Sequence, residues 1–139
     1  MYYNKFNQPD DFAMIVEHAV NTLKDVLSRG IQFDTVVFRG FSGALVGPTV
    51  ALQLGKYWAL VRKKGDNSHS LNPIEGQVYG NYVIIDDFTD TGHTVKEILG
   101  ACRDGTCVGA YFYDTKWFEG VKNNVDYLEE RIGIPILNT

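Results

Sequence analysis

Hydrophobic residues recur along the chain in two alternating patterns. From Asp10 to Gly30 they are spaced three or four residues apart, which predicts one amphipathic helix. Short runs of apolar, often β-branched residues predict buried strands. These strands are expected at 35–38, 57–61, 82–85 and 108–113, with further helices over 44–54 and 93–102 and a last one whose apolar face includes Val121, Val125, Leu128 and Ile132.

Unbroken apolar strands that alternate with helices indicate a parallel sheet covered on both sides. We therefore predict an α/β fold of three layers, with a central, mainly parallel sheet flanked by helices. The length of 139 residues and the lack of repeats or linkers predict a single domain over 1–139. Such sheets bind ligands at the carboxyl ends of their strands, where the polar loops 39–43 and 86–94 lie.

The composition of the chain bears on three questions: whether it binds nucleic acid, whether it enters a membrane and whether it is secreted. A net charge of −4 argues against a broad nucleic-acid surface, so an anion would have to be held by local groups. No apolar run approaches the ~20 residues that cross a bilayer, and residues 1–6 lack the pattern of a secretory signal. Two cysteines without a metal-binding spacing fit reduced thiols. We expect no membrane partner and a cytoplasmic protein.

The segment from Asp86 to Thr94 carries the clearest chemistry. Two adjacent carboxylates follow an apolar strand, and hydroxyls, a glycine and a helix start come after them. Bare amides and the helix dipole favour a phosphate at such a helix start. The acid pair would repel that phosphate unless the ligand also brought hydroxyls or a divalent cation. A ribose 5-phosphate unit suits the whole segment, because its hydroxyls can bind the acid pair and its phosphate can bind the helix start. The alternative is a capped helix beside solvated acids.

This segment resembles the signature of the type I phosphoribosyltransferases, although Phe88 and Thr89 replace the usual aliphatic pair. The resemblance runs from Thr35 to about Tyr113 and implies a small or reduced hood. It implies that Asp86 and Asp87 hold the ribose hydroxyls of phosphoribosyl pyrophosphate (PRPP) and, through PRPP, an indirectly bound Mg²⁺. Its 5-phosphate would be wrapped by Asp90, Thr91, Gly92, His93 and Thr94, and Asp90 would also act as a base.

Two further segments resemble parts of the same family. Residues 36–43 are similar to its pyrophosphate loop, and 57–64 to the strand that leads into its flexible catalytic loop. The resemblance implies pyrophosphate contacts from Arg39, Gly40 and Arg62, and catalytic roles for Lys63 and Lys64. A surface ion pair for Arg39 and a solvated basic loop remain alternatives. Tyr113, Lys116 and Trp117 are candidates for base binding, and an aromatic cluster in the core is the other interpretation.

The activity that the resemblance implies is transfer of the 5-phosphoribosyl group from PRPP to a purine or pyrimidine base, with release of pyrophosphate. Mg²⁺ would be the cofactor, carried mainly by ligand oxygens, and a homodimer is a further possibility. The alternative is a non-catalytic sensor of PRPP or a nucleotide with the same fold. A phosphatase or hydrolase is disfavoured because neither an Asp-x-Asp nor a Gly-x-Ser-x-Gly nucleophile occurs.

Overall fold

The computed structural model describes residues 4–63 and 73–138, with the backbone alone for Asn4 and Lys5. Helices and strands alternate along most of the chain. They are α1 (Asn4–Asn7), α2 (Pro9–Ser28), β1 (Thr35–Phe38), α3 (Gly40–Leu54), β2 (Tyr57–Val61), β3 (Ile74–Gly76), β4 (Asn81–Asp86), α4 (His93–Ala101), β5 (Thr106–Phe112), α5 (Thr115–Val121), a short 3-10 turn (Lys122–Asn124) and α6 (Val125–Ile132).

The strands form one sheet in the order β3-β2-β1-β4-β5. Strand β1 pairs in parallel with both β2 and β4, and β5 pairs in parallel with β4. Among the strands in the described ranges, the short edge strand β3 alone runs antiparallel, against β2. The predicted mainly parallel sheet is therefore confirmed. Strand β3 was not predicted, because its three residues are too few to show a periodic pattern.

Alternate residues of the central strands bury opposite faces of the sheet. Val36 and Phe38 pack into one apolar cluster with the buried sides of α2 and α3. Val37 and Ile84 pack into the other cluster, with residues of α4 and α6. All four side chains are at most 1% exposed, and each contributes ~1.5–3 kcal/mol by leaving water. The three-layer arrangement predicted from sequence is confirmed.

Helix α3 begins earlier than its sequence suggests. It starts at Gly40, directly after Arg39, and continues through Pro48. Gly40 has a φ of +83°, a left-handed conformation that suits glycine and lets the extended chain turn at once into the helix. The predicted turn over 39–43 is therefore the first turn of α3. The approach of α3 to β1 is close, because a Cβ on Gly47 would overlap the ring of Phe38.

The order of the strands creates a crevice at the centre of the sheet. From β1 the chain crosses through α3 to β2 on one side, and from β4 it crosses through α4 to β5 on the other. The loops after β1 and β4 therefore diverge at the carboxyl ends of two neighbouring strands. Open α/β sheets bind ligands at such a switch point.

The described ranges 4–63 and 73–138 include no helix that is both long enough and apolar enough to cross a lipid bilayer.

The packing of α3 on β1 predicts opposite effects for two glycine substitutions. Gly47→Ala should lower the free energy of unfolding by about 1–3 kcal/mol, because the added methyl group overlaps Phe38. Gly100→Ala is the control, because Gly100 lies in α4 with open space around it. That change should raise the free energy of unfolding by about 0.5–1 kcal/mol. Urea unfolding measures both, and an unchanged Gly47→Ala variant would refute the close contact.

Candidate functional site

A cleft of about 240 Å³ occupies the switch point between β1 and β4. Three segments line it: the start of α3, Lys63 after β2, and the loop from β4 to α4. The lining residues are Arg39, Gly40, Phe41, Ser42, Lys63, Asp86, Asp87, Phe88, Thr89, Asp90, Thr91, Gly92, His93 and Thr94. The structure therefore brings together the two loops that sequence analysis selected separately.

The acid pair is anchored at the end of the central strand β4. Asp86 is 7% exposed, whereas Asp87 is half-buried. The backbone fixes both residues, because their carbonyl oxygens accept hydrogen bonds from the amides of Tyr113 and Asp114, each at 2.9 Å. The Oδ1 atom of Asp86 accepts a bond from the Asp87 amide at 2.9 Å. The pair is thus held rigidly at the floor of the cleft.

Burial is the main reason why the pKa of Asp86 is raised to about 8. Repulsion from the Asp87 carboxylate raises it further, and the nearby Arg39 opposes the change without cancelling it. A carboxyl group that is buried without an adequate cation is costly to the fold. Hydroxyl donors from a ligand would stabilise its charged form.

The start of α4 forms another part of the cleft lining. Gly92 precedes the helix with a φ of +81°, and a Cβ there would approach Ile132 to 3.2 Å, so both conformation and space favour glycine. The first full helical bond runs from the Lys96 amide to the Gly92 carbonyl at 3.0 Å. The amides before Lys96 therefore lie outside the helical pattern, which suits an anion.

One of these amides already has a partner. The His93 amide donates to Oγ1 of Thr91 at 3.3 Å, a longer bond than usual. Helix capping, the alternative considered from sequence, is therefore present in part. Asp90 and Thr91 are nevertheless exposed and line the cleft, and Thr94 is half-exposed beside them. The capping contact leaves these groups accessible to a ligand.

Arg39 reaches the cleft from β1, but it is also paired within the protein. Its Nη1 atom donates to Oε1 of Glu97 at 2.7 Å, and its side chain is 9% exposed. Its Nε atom is buried and has no hydrogen-bond partner among the described residues. The pair is an internal one, so the surface ion pair considered from sequence is not what forms. An unsatisfied buried donor beside the cleft is a group that a ligand oxygen could satisfy.

Glu97 was missed by sequence analysis. Besides Arg39, it contacts Nε2 of His93 at 3.2 Å. The spacing from His93 to Glu97 is i,i+4, which places both side chains on one face of α4. That spacing could have identified Glu97, but nothing in the sequence near Arg39 pointed to α4.

The basic residues after β2 differ in their positions. Lys63 lines the cleft, and its Nζ atom would lie 3.9 Å from a Cβ built on Gly40. Arg62 forms an ion pair with Glu75 of β3 and lines a neighbouring depression instead. Lys64 lies outside the described residues. Lys63 therefore lies in the cleft lining and Arg62 beside it, and the pyrophosphate contact of Arg62 stays a prediction.

The three candidates for base binding do not line this cleft. The hydroxyl group of Tyr113 lies 2.5 Å from Oγ of Ser42, and its ring is buried. Trp117 packs on Phe112 in the core, with ring centroids 5.2 Å apart, and Lys116 is exposed on α5. The core interpretation holds for Trp117. A base-binding role for the three residues, like the hood, stays a prediction.

The donor set bears on whether the cleft fits Mg²⁺. Among the described residues, no group of three His, Cys, Asp or Glu side chains could enclose a metal ion. Two carboxylates, Asp86 and Asp87, do face the cleft. Mg²⁺ commonly keeps several waters and uses one or two carboxylates together with phosphate oxygens of its substrate. The cleft therefore fits a Mg²⁺ ion that a ligand brings, rather than a protein-built metal site.

Comparison with solved structures reveals the same fold in two kinds of enzyme. Adenine phosphoribosyltransferase from Saccharomyces cerevisiae superposes with a TM-score of 0.66 at 22% identity, over 94% of this chain and 79% of that one. Orotate phosphoribosyltransferase from Aeropyrum pernix superposes with a TM-score of 0.68 at 18% identity, over 94% and 71%. At these identities the likeness shows the fold alone.

Comparison with curated sequences points to a different kind of protein. The transcriptional regulator GfcR from Methanocaldococcus jannaschii is 33% identical over 98 residues, which make up 64% of this chain and 46% of the regulator. The match therefore spans less than half of that relative. No protein-family model matches the sequence.

The raised pKa of Asp86 predicts a pH-dependent gain in stability from Asp86→Asn. The folded chain binds the Asp86 proton more tightly than the unfolded chain does. The contribution of this carboxyl group to the free energy of unfolding is therefore complete at low pH and is lost as pH rises towards about 8. Asn removes the charge and keeps an oxygen for the Asp87 amide. The variant should gain about 1–3 kcal/mol over the native chain at pH 8, and much less at pH 4.

Urea unfolding at several pH values between 4 and 8.5 tests this expectation. Asp104→Asn, at an exposed position in the turn after α4, is the control for removing one negative charge. If the difference between Asp86→Asn and the native chain were the same at pH 4 and pH 8, burial would not be controlling this carboxyl group.

Proposed function

The chain has the fold of the type I phosphoribosyltransferases, and we propose that it binds PRPP in the cleft and transfers the 5-phosphoribosyl group to a nitrogenous base. The observation that carries this proposal is that the Asp86–Asp87 pair, held by backbone hydrogen bonds, and the start of α4 line the same cleft. The carboxylates accept hydrogen bonds from vicinal ribose hydroxyls. The amides of the α4 start, which favour anions, bind the 5-phosphate.

The remaining groups of the cleft suit the other end of the same ligand. Arg39 supplies a buried donor without a partner among the described residues, and Lys63 supplies a positive charge on the side of Gly40. Both are proposed to bind the pyrophosphate of the same ligand. Asp86 and Asp87 would hold a Mg²⁺ ion indirectly, through PRPP, and the ion would supply positive charge to the leaving pyrophosphate.

The proposed reaction exchanges one bond for another at C1 of the ribose. The bond from C1 to a pyrophosphate oxygen breaks, pyrophosphate leaves with the electron pair, and a base nitrogen bonds to C1. The proton displaced from that nitrogen passes to a carboxylate, for which Asp90 is the candidate because it is exposed within the cleft. The protein's part is to position the sugar and to stabilise the leaving group.

Replacement of Asp87 tests the sugar contact. Asp87→Asn should weaken binding of ribose 5-phosphate about tenfold to a hundredfold, because a hydrogen bond to a charged group is worth about 1.5–3 kcal/mol. Titration calorimetry measures the dissociation constant, with Asp104→Asn as the control for charge. Native-like affinity in Asp87→Asn would remove the ribose assignment.

Thr94→Val tests whether the phosphate is held by side chains or by the backbone. The substitution keeps the shape of the side chain and removes its hydroxyl group. We expect a smaller loss of affinity than in Asp87→Asn, because amides supply most of the phosphate contacts. A larger loss, measured in the same titration, would show that the hydroxyl group is the main contact.

The second candidate function is a PRPP or nucleotide sensor without turnover. It is favoured by the 33% identity to a transcriptional regulator and by the absence of Tyr113, Lys116 and Trp117 from the cleft lining. Pyrophosphate release from PRPP and Mg²⁺ across a panel of purine and pyrimidine bases separates the two. Release with one base supports the transferase, whereas tight PRPP binding with no release on any base supports the sensor.

A further inference from the structure

The register of the sheet brings Arg39 and Asp86 to the same level of neighbouring strands. Strand β1 pairs with β4 as far as Val37 opposite Ile84, and Arg39 and Asp86 each lie two residues further along. Arg39 keeps an extended backbone, with φ −151° and ψ 146°, so the direction of β1 continues up to it. Side chains two residues apart in a strand point to the same face. Arg39 and Asp86 therefore leave the sheet on the face where Val37 and Ile84 pack, which α4 covers.

An arginine and an aspartate in this arrangement are expected to pair, but they do not. Opposite charges on neighbouring strands attract each other. The Arg39 guanidinium instead donates from Nη1 to Oε1 of Glu97 at 2.7 Å, and among the described residues no hydrogen bond or ion pair joins it to Asp86. Arg39 is close enough to oppose the rise in the pKa of Asp86, yet that pKa stays raised to about 8. The guanidinium that could neutralise Asp86 is thus bound to another acid.

Glu97 reaches Arg39 from α4, the helix that packs on this face of the sheet. Val95 and Ile98 of the same helix are fully buried, which fixes the position of the helix. The side chain of Glu97 is 22% exposed and that of Arg39 is 9% exposed, so little water screens their attraction. Hydrogen bonds between charged groups are also stronger than those between neutral ones. Arg39 therefore lies between two acids and is bonded to the one on the helix.

We propose that Glu97 is a positioning residue of the cleft, which keeps Arg39 bonded to α4 and away from Asp86. Its purpose rests on the proposed function, in which Arg39 binds pyrophosphate and Asp86 binds the sugar of the same ligand. If Arg39 paired with Asp86, it would offer less charge to pyrophosphate, and the carboxylate would have fewer free lone pairs for ribose hydroxyls. With Nη1 bonded to Glu97, the buried Nε atom of Arg39 has no partner among the described residues and can donate to a ligand oxygen.

The proposal predicts that the effect of Asp86→Asn on stability changes sign when Glu97 is replaced. In the native chain, Asp86→Asn should raise the urea midpoint at pH 8, because it removes a buried charge that is poorly neutralised. Glu97→Gln keeps the size of the side chain and removes its charge, so Arg39 should turn to the Asp86 carboxylate. In that background Asp86→Asn leaves a buried guanidinium without an acid, and it should lower the urea midpoint.

Glu130→Gln is the matched control for this comparison. Glu130 is exposed on α6 and does not line the cleft, so the same chemical change is made away from Arg39. In the Glu130→Gln background, Asp86→Asn should raise the urea midpoint as it does in the native chain. The contact between Glu97 and His93 cancels, because Glu97→Gln removes it both with and without Asp86→Asn. A raised midpoint in the Glu97→Gln background as well would overturn the proposal.

Titration calorimetry with inorganic pyrophosphate measures the consequence for binding. Glu97→Gln should weaken pyrophosphate binding about tenfold or more, because Arg39 turns to Asp86. In the Asp86→Asn background, where this carboxylate is gone, the same substitution should change the affinity by about twofold at most. A merely structural role for Glu97 would weaken binding by the same factor in both backgrounds, and that result would also overturn the proposal.

The two measurements separate failure of this proposal from failure of the proposed function. Urea unfolding uses no ligand. A change of sign, without binding of pyrophosphate or ribose 5-phosphate to the native chain, would remove the proposed function and leave Glu97 as the group that holds Arg39 away from Asp86. Binding of both ligands without the change of sign would leave the proposed function and remove the positioning role of Glu97.

Discussion

The Asp86 carboxyl group, buried at the end of the central strand, is the constraint on which the cleft depends. Strand β4 must end there for the acid pair to face the start of α4, and the amides of Tyr113 and Asp114 hold its last carbonyls in place. Burial disfavours the charge that a sugar-binding carboxylate needs. A cost to stability at this position is typical of a site kept for binding rather than for folding.

Sequence patterns predicted the sheet, its flanking helices and the two loops of the cleft, because each depends on local apolar spacing and local turn chemistry. They did not predict where α3 begins, since Gly40 turns the chain sooner than the apolar pattern suggests. They also missed the pairing of Arg39 with Glu97, which joins β1 to α4 across the sheet. Such a contact depends on which strands are neighbours in the sheet, and the sequence of a single segment does not indicate the strand order.

The two candidate functions share the cleft and differ in what happens after binding. Adenine and orotate phosphoribosyltransferases are among the solved structures that share this fold, whereas the regulator GfcR is similar in sequence. Tyr113, a candidate for base binding from sequence, has a buried ring whose hydroxyl group contacts Ser42 of the cleft lining.

Amide NMR spectra recorded with ribose 5-phosphate test the central claim most directly. The resonances of Gly92, His93 and Thr94 should shift together with those of Asp86 and Asp87. Free ribose should shift mainly the resonances of the acid pair, and inorganic phosphate mainly those at the start of α4. If ribose 5-phosphate moved neither group, or moved residues outside the cleft instead, the switch point of this sheet would not be a site for a phosphorylated pentose.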